Sequence, residues 1–202
     1  MELRDAIARR RMTRSFTDEP IGSDLLEAVL ATAVRAPSAG FAQGVDLLVL
    51  AAPEARARFF ELATDASWRE HGARSKGLRA APVIVLAICD PATYLRRYAE
   101  PDKALSGLAG AKAREWDVPY WLVDASFVVM QLLLAATDAG LGALFFRLHA
   151  PETSVLSGLG VPPGLTTIGA VALGHPGTHD PRTSPASRRR RPVAEVVHLD
   201  HW

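Results

Sequence analysis

Leu122-Val-Asp-Ala-Ser-Phe-Val-Val-Met-Gln-Leu-Leu-Leu-Ala-Ala-Thr-Asp138 is the most apolar stretch of the 202-residue chain. Its apolar positions fall nearly all round a helical wheel, which predicts a helix over 122–138 covered on most sides by other elements. Gly140-Leu-Gly142 is the expected stop, and a strand is expected from Ala143 to Leu148. The run Leu122–Ala136 is too short to span a bilayer, carries Asp124 near its start and is followed by Asp138, so it reads as a core helix.

Working outward, Val83 to Cys89 is a continuous apolar run of the kind found in a strand buried on both faces. Further strands are expected over Val45–Ala51 and Thr166–Gly174. Helices are expected over 2–11, with Leu3, Ala6 and Ile7 on one face, and from Ser23 or Asp24 to Pro37. The second carries Leu25, Leu26, Val29, Leu30, Ala33 and Val34 at helical spacing. Two shorter helices follow from Pro53 to about Leu62 and from Pro151 to Ser157. Residues 64–80 read as irregular and polar. Residues 90–121 read as an insertion or lid, in part helical, ending in Trp116, Tyr120 and Trp121. Strands interspersed with helices give an α+β layered architecture. Length predicts a single domain over 1–202 with a basic extension at 176–202.

Charge is unevenly placed. The net charge is only +1, yet ten of the 23 Lys+Arg residues sit in two clusters. They are Arg4, Arg9, Arg10, Arg11 and Arg14, and then Arg182, Arg188, Arg189, Arg190 and Arg191. Arginine presents a planar donor fork suited to phosphate and carboxylate, so both ends could serve one anionic ligand; two solvated basic tails are the alternative. The run at 188–191 lacks a companion basic helix face or aromatic platforms, which argues against nucleic acid. The single Cys89 lies in an apolar run and reads as a buried thiol, compatible with a cytoplasmic location. The first 20 residues are charged throughout, without the apolar core of a signal peptide.

Familiar chemical signatures are missing: no G-x-G-x-x-G after a strand, no phosphate-binding G-x-x-x-x-G-K-[ST], no G-x-S-x-G elbow. His175 and His179 are separated by Pro176-Gly177, and His198 and His201 share the tail, so no metal set is expected. No catalytic acid–base pair stands out. Such a chain can draw its chemistry from a cofactor.

The order of the remaining motifs resembles the nitroreductase family. Arg10-Arg-Met-Thr-Arg14-Ser-Phe16 is similar to its R-x-S-x-[RK]-x-F segment, and Ala36-Pro-Ser-Ala-Gly-Phe-Ala-Gln43 to its A-P-S-x-x-N-x-Q loop. Gly140-Leu-Gly142 and Ile168-Gly-Ala-Val-Ala-Leu-Gly-His-Pro176 resemble two later family segments, and Arg188 to His198 resembles the basic segment before a terminal E-V-V. Met12 stands where the family has Ser, Phe41 where it has Asn, Gly44-Val45 where many members have Pro-Trp, and Arg147 where a small residue is expected.

The resemblance implies a central, mostly antiparallel sheet flanked by helices, with the long helix at the interface of a homodimer. It implies FMN as cofactor, NADH or NADPH as electron donor and a small acceptor, nitroaromatic or quinone, in ping-pong order. Carried over by position, Arg10, Arg11, Met12, Arg14, Pro37, Ser38, Ala39, Gly40, Phe41, Gln43, Arg188 and Arg190 would bind the cofactor. Phe41, Trp116, Tyr120 and Trp121 would line the substrate position. Another flavin or a deazaflavin such as coenzyme F420, or a flavin-binding protein without catalysis, keeps the same fold. Neither nucleic acid nor membrane is an expected partner.

Overall fold

A computed structural model describes residues 1–72, 74–178 and 189–202. In chain order the helices are α1 (Leu3–Arg9), α2 (Ser23–Ala33), α3 (Pro53–Ala63), α4 (Ala66–His71), α5 (Ser75–Arg79), α6 (Pro91–Tyr98), α7 (Tyr120–Asp138) and α8 (Glu152–Gly158). The strands are β1 (Val45–Leu50), β2 (Val83–Cys89), β3 (Gly142–Phe146) and β4 (Thr166–Gly174), in spatial order β1-β2-β4-β3, every neighbouring pair antiparallel.

All seven side chains of β2 are buried, as the apolar run predicts. Successive strand residues point to opposite faces. Val83, Val85, Ala87 and Cys89 therefore meet α7 and α2 through Ala125, Val129, Leu132, Val29 and Ala33. Ile84, Leu86 and Ile88 meet Phe59 and Phe60 of α3, Val155 and Leu156 of α8 and Leu78 of α5. The result is three layers, helix–sheet–helix.

The central helix is longer than its sequence run suggests, because Tyr120 and Trp121 join it. At 19 residues and mean hydropathy 1.5 it reaches the length and apolarity of a membrane-crossing helix, which corrects the expectation that it is too short. Within the fold eight of its residues, Asp124 among them, are buried against protein. It closes as expected, Leu141 N donating to Ala136 O (2.8 Å) and Gly140 N to Thr137 O (3.1 Å).

Other expectations need correction. Residues 64–80 hold α4 and α5 rather than irregular chain; Asp65 caps α4 by accepting from Trp68 N at 2.7 Å. Residues 90–121 are in part helical, as expected, with α6, capped by Asp90, and two 3-10 turns. On α1 only Ala6 is buried, while Leu3 and Ile7 are exposed, as are Leu25 and Val34 flanking the buried side of α2.

Residues 12–17 lie beside β3: Met12 bridges Ala143 in parallel, Thr13 N donates to Ala143 O (2.9 Å), and Phe16 N to Gly77 O (3.1 Å). The β2–β4 pairing is irregular between Leu86 and Ile88, and the extra β4 residue falls at Ile168–Gly169. Gly169 has φ 140, and a Cβ there would lie 2.5 Å from Phe146 O. Only glycine lets β4 approach the end of β3 this closely.

Leu132 is fully buried between α7 and the sheet. Leu132→Ala should cost about 2–5 kcal/mol, read as a lower urea midpoint at unchanged slope. Burial, then Glu152 and Asp124, push the Cys89 thiol up to about 12 from 9.0. A raised folded value means that this contribution is complete below pH 9 and is lost as pH climbs toward 12. The stability of the parent chain should therefore fall more between pH 8 and 10.5 than that of Cys89→Ala; parallel declines would contradict it.

Candidate active site

A cleft of about 260 Å³ opens where the 12–17 segment, the α4–α5 region and the residues after β3 meet. Arg14, Arg74, Arg147 and His149 line it, with Trp68, Leu78, Leu144, Phe145 and Phe146 as apolar walls. Among the described residues no Asp or Glu lines it.

Local hydrogen bonding explains how these side chains converge. The Met12–Ala143 bridge brings the start of the 12–17 segment beside β3, and Arg14 Nη1 donates to Met12 O at 2.8 Å. The bond from Phe16 to Gly77 holds α5, and with it Arg74, against the same segment. Trp68 stacks on Phe60 (6.4 Å, 17°). His149 N and Ala150 N both donate to Ala63 O, tying the chain after β3 back to α3. Among the described residues, the Arg74 and Arg147 side chains make no hydrogen bond or ion pair. Such charge beside a low-dielectric wall attracts anions more strongly than the same cations dispersed over the surface.

The small-residue loop occupies another part of the fold. Ala39–Phe41 forms a 3-10 turn with Gly40 at φ 60; Phe41 (φ 56) and Gln43 (φ 53) also adopt positive φ. For an aromatic side chain this conformation is strained and needs support. Three bonds supply it. Asp124 Oδ2 accepts from Ala39 N (2.9 Å) and from Tyr94 Oη (2.7 Å). Arg97 Nε donates to Gly40 O (2.7 Å), and Arg97 is itself held by Asp102 (2.6 Å) and Glu100 (2.9 Å). Ser38 Oγ accepts from Gln43 N (2.8 Å). A Cβ on Gly40 would lie 3.0 Å from the Tyr98 ring, so glycine is needed for packing as well as for φ. Burial, followed by the Asp124 hydrogen bond, pushes the Tyr94 phenol well above its usual range, and the Arg97 hydrogen bond holds Asp102 below the usual carboxylate range.

Phe41 is 77% exposed, and Pro37 and Gln43 are also exposed. Trp116 and Trp121 are buried; they meet each other at a tilt (5.8 Å) and make edge contacts with Tyr98 and Tyr120 (Trp116) and with Tyr94 (Trp121) at ring separations of 5.0–6.3 Å. Tyr120 is half-buried and stacks on Tyr98.

Within one chain the expected site residues do not gather. Arg10 and Met12 are half-buried, Arg11 is exposed, and of the first cluster Arg14 borders the cleft. None of residues 37–43 lines it. Arg190 is exposed on the C-terminal segment, and Arg191 pairs with Glu195 at 3.4 Å. Arg182, Arg188 and His179 lie outside the described residues. Among the described residues no group of His, Cys, Asp and Glu could hold a metal ion. Sequence reading missed Trp68 and Arg74, because α4 and α5 are too short and polar to show a period, and His149, which follows β3 and belongs to no motif. The cap at Asp65 was the one available local signal.

With this geometry in view, comparison with known proteins is direct. The family model described as the nitroreductase family matches residues 7–175. The chain belongs to the nitroreductase family. It is 27% identical over 193 residues to the NADH dehydrogenase of Thermus thermophilus, covering 87% of each chain. A nitroreductase family protein of Clostridium difficile 630 superposes with a TM-score of 0.71 at 20% identity, covering 100% of both chains. A Desulfovibrio desulfuricans protein crystallised with FMN gives a TM-score of 0.70 at 24% identity, covering 100% of this chain and 98% of the other.

Asp124→Ala removes the acceptor for the buried Tyr94 hydroxyl and the part-buried Ala39 amide. It should cost about 1.5–3 kcal/mol and speed amide exchange at residue 39. Tyr94→Phe, which leaves the Ala39 bond in place, should cost less and leave that exchange slow. Equal exchange in both variants would contradict the clamp.

Proposed function

We propose that the protein is a cytoplasmic, FMN-dependent oxidoreductase that takes electrons from NADH or NADPH and passes them to a small nitroaromatic or quinone acceptor. The observation that carries this reading is the aromatic-walled cationic cleft that Arg14, Arg74 and Arg147 border, in a chain of the nitroreductase family. FMN-bound neighbours of the same fold support it.

The residues present fit such a cofactor. A flavin nucleotide carries a phosphate, a polar pyrimidine edge and a flat apolar ring. Arg14 suits the pyrimidine edge, where a fixed cation stabilises negative charge that develops there. Arg10, Arg190 and Arg188, with Arg11 beside them, are assigned to the phosphate and Met12 to the neighbouring chain. Bound here, FMN supplies the two-electron chemistry that no side chain of this protein provides. The chain's own contribution is positional: Pro37, Ser38, Ala39 and Gly40 offer close backbone approach, Gln43 offers an amide, and Phe41 covers the reacting face. Tyr120, with Trp116 and Trp121 behind it, is assigned to the substrate side. Donor and acceptor occupy one face in turn, which gives ping-pong kinetics.

The separation of the loop from the cleft within one chain favours a homodimer in which each copy's loop completes the other's site. Exposed Leu3 and Ile7 on α1 and Phe127 and Met130 on α7 supply apolar surface for it. No nucleic acid or membrane partner is part of this reading.

The purified protein should be yellow, or become so with FMN, and should bleach anaerobically with NADH or NADPH. Protein that stays colourless with added FMN would refute the assignment, and a yellow protein that neither nucleotide bleaches would leave flavin binding without this catalysis. Arg10→Ala should weaken FMN binding by roughly 10- to 100-fold, the equivalent of about 1.5–3 kcal/mol for one charge-assisted bond.

A further inference from the structure

Phe41 is placed by its backbone. It is exposed, and among the described residues its ring meets no other aromatic ring. Its φ of 56 is strained for an aromatic residue and relaxes unless the adjoining peptide is held. Both polar atoms of the Gly40–Phe41 peptide are engaged. Phe41 N donates to Ser38 O (2.8 Å), a bond local to the loop, and Gly40 O accepts from Arg97 Nε (2.7 Å). Arg97 belongs to α6, so it restrains this peptide from outside the loop.

The other edge of the same guanidinium grips the turn that follows α6. Nη1 and Nη2 donate to the two carboxylate oxygens of Asp102 at 2.7 and 2.6 Å, and Nη1 also to Glu100 at 2.9 Å. A planar fork that spans a carboxylate and a carbonyl fixes one relative to the other. The turn lies in the segment that carries the acceptor-side wall, where Tyr98 stacks on Tyr120 (5.9 Å, 27°) and meets Trp116 edge-on (5.0 Å). Asp102 and Glu100 are both exposed, and ion pairs with exposed partners add little to global stability. The effect of Arg97 therefore falls on local position more than on the stability of the fold.

Gly40 already lies against the wall: a Cβ there would stand 3.0 Å from the Tyr98 ring and 3.2 Å from Lys103 Cε. A loop released by Arg97 has no room to move inward, so it moves outward and carries Phe41 with it.

We propose that Arg97 is a positioning residue that sets the gap between Phe41 and the Tyr98–Tyr120 wall, and thereby selects electron acceptors by ring width, favouring one ring over two fused rings. Loop and wall belong to the same chain, so the gap is the same whichever copy's flavin it faces. The inference rests on the flavin reading given above and narrows its acceptor class.

Turnover at saturating FMN is compared for 1,4-benzoquinone and 1,4-naphthoquinone, and amide exchange is followed at residue 41. In Arg97→Met, exchange at Phe41 should quicken at least tenfold, and the ratio of kcat/KM for naphthoquinone over benzoquinone should rise at least fivefold, mainly through KM. Arg97→Lys should recover part of both. In a Phe41→Ala background, Arg97→Met should change the ratio less than twofold, because the residue acts through Phe41. Asp102→Asn, which leaves Arg97 and its bond to Gly40 in place, should raise the ratio in the same direction and keeps the proposal testable if Arg97→Met does not fold. Equal exchange in parent and Arg97→Met, an unchanged quinone ratio in a yellow protein, or a ratio change of the same size with and without Phe41 overturns the positioning role and leaves the flavin reading standing. A chain that takes up no FMN overturns both.

Discussion

Burial of every side chain of β2 governs this structure. A strand with two apolar faces cannot leave either to solvent, so helices must cover both. The long helix α7, seconded by α2, takes one face, and α3, α5 and α8 take the other. Once the two layers are in place, the segments between them have little freedom. Residues 12–17 lie beside β3, and the chain after β3 returns to α3. The cationic cleft forms where these two paths meet.

Buried polar groups set the finer positions. Asp124 sits on a helix otherwise dominated by apolar residues and accepts two hydrogen bonds with a single carboxylate oxygen. One of them fixes the loop that holds Phe41 and Gln43 at positive φ. Arg97 does the same from outside, through the Gly40 carbonyl. The cleft shows the opposite economy: its Arg74 and Arg147 guanidiniums have no partner among the described residues. Polar groups satisfied internally build the scaffold, and those left open are available to a ligand.

Much of the scaffold was legible from local pattern. The seven residues of β2 and the nine of β4 show as apolar runs, and the Gly140 stop shows as the end of α7. The pattern failed where elements are short. With six and five residues, α4 and α5 complete fewer than two turns, too few to display a period. It also misjudged the exposed faces of α1 and α2, because an apolar side chain on a helix does not say which neighbour covers it. Of the site, the first arginine cluster and the small-residue loop were visible as motifs, whereas Arg74 and His149 belong to no motif.

The sequence by itself determined the layer architecture, the order of its elements and the uneven placement of arginine, because these depend on periodicity and composition along the chain. Tertiary structure alone decided which charges meet. Arg14, Arg74 and Arg147 are separated by 60 and 73 residues, and packing around β3 and α5, not any local preference, brings them to one recess. Packing likewise leaves the small-residue loop away from that recess in a single chain, since Asp124 and Arg97 fasten it to α7 and α6.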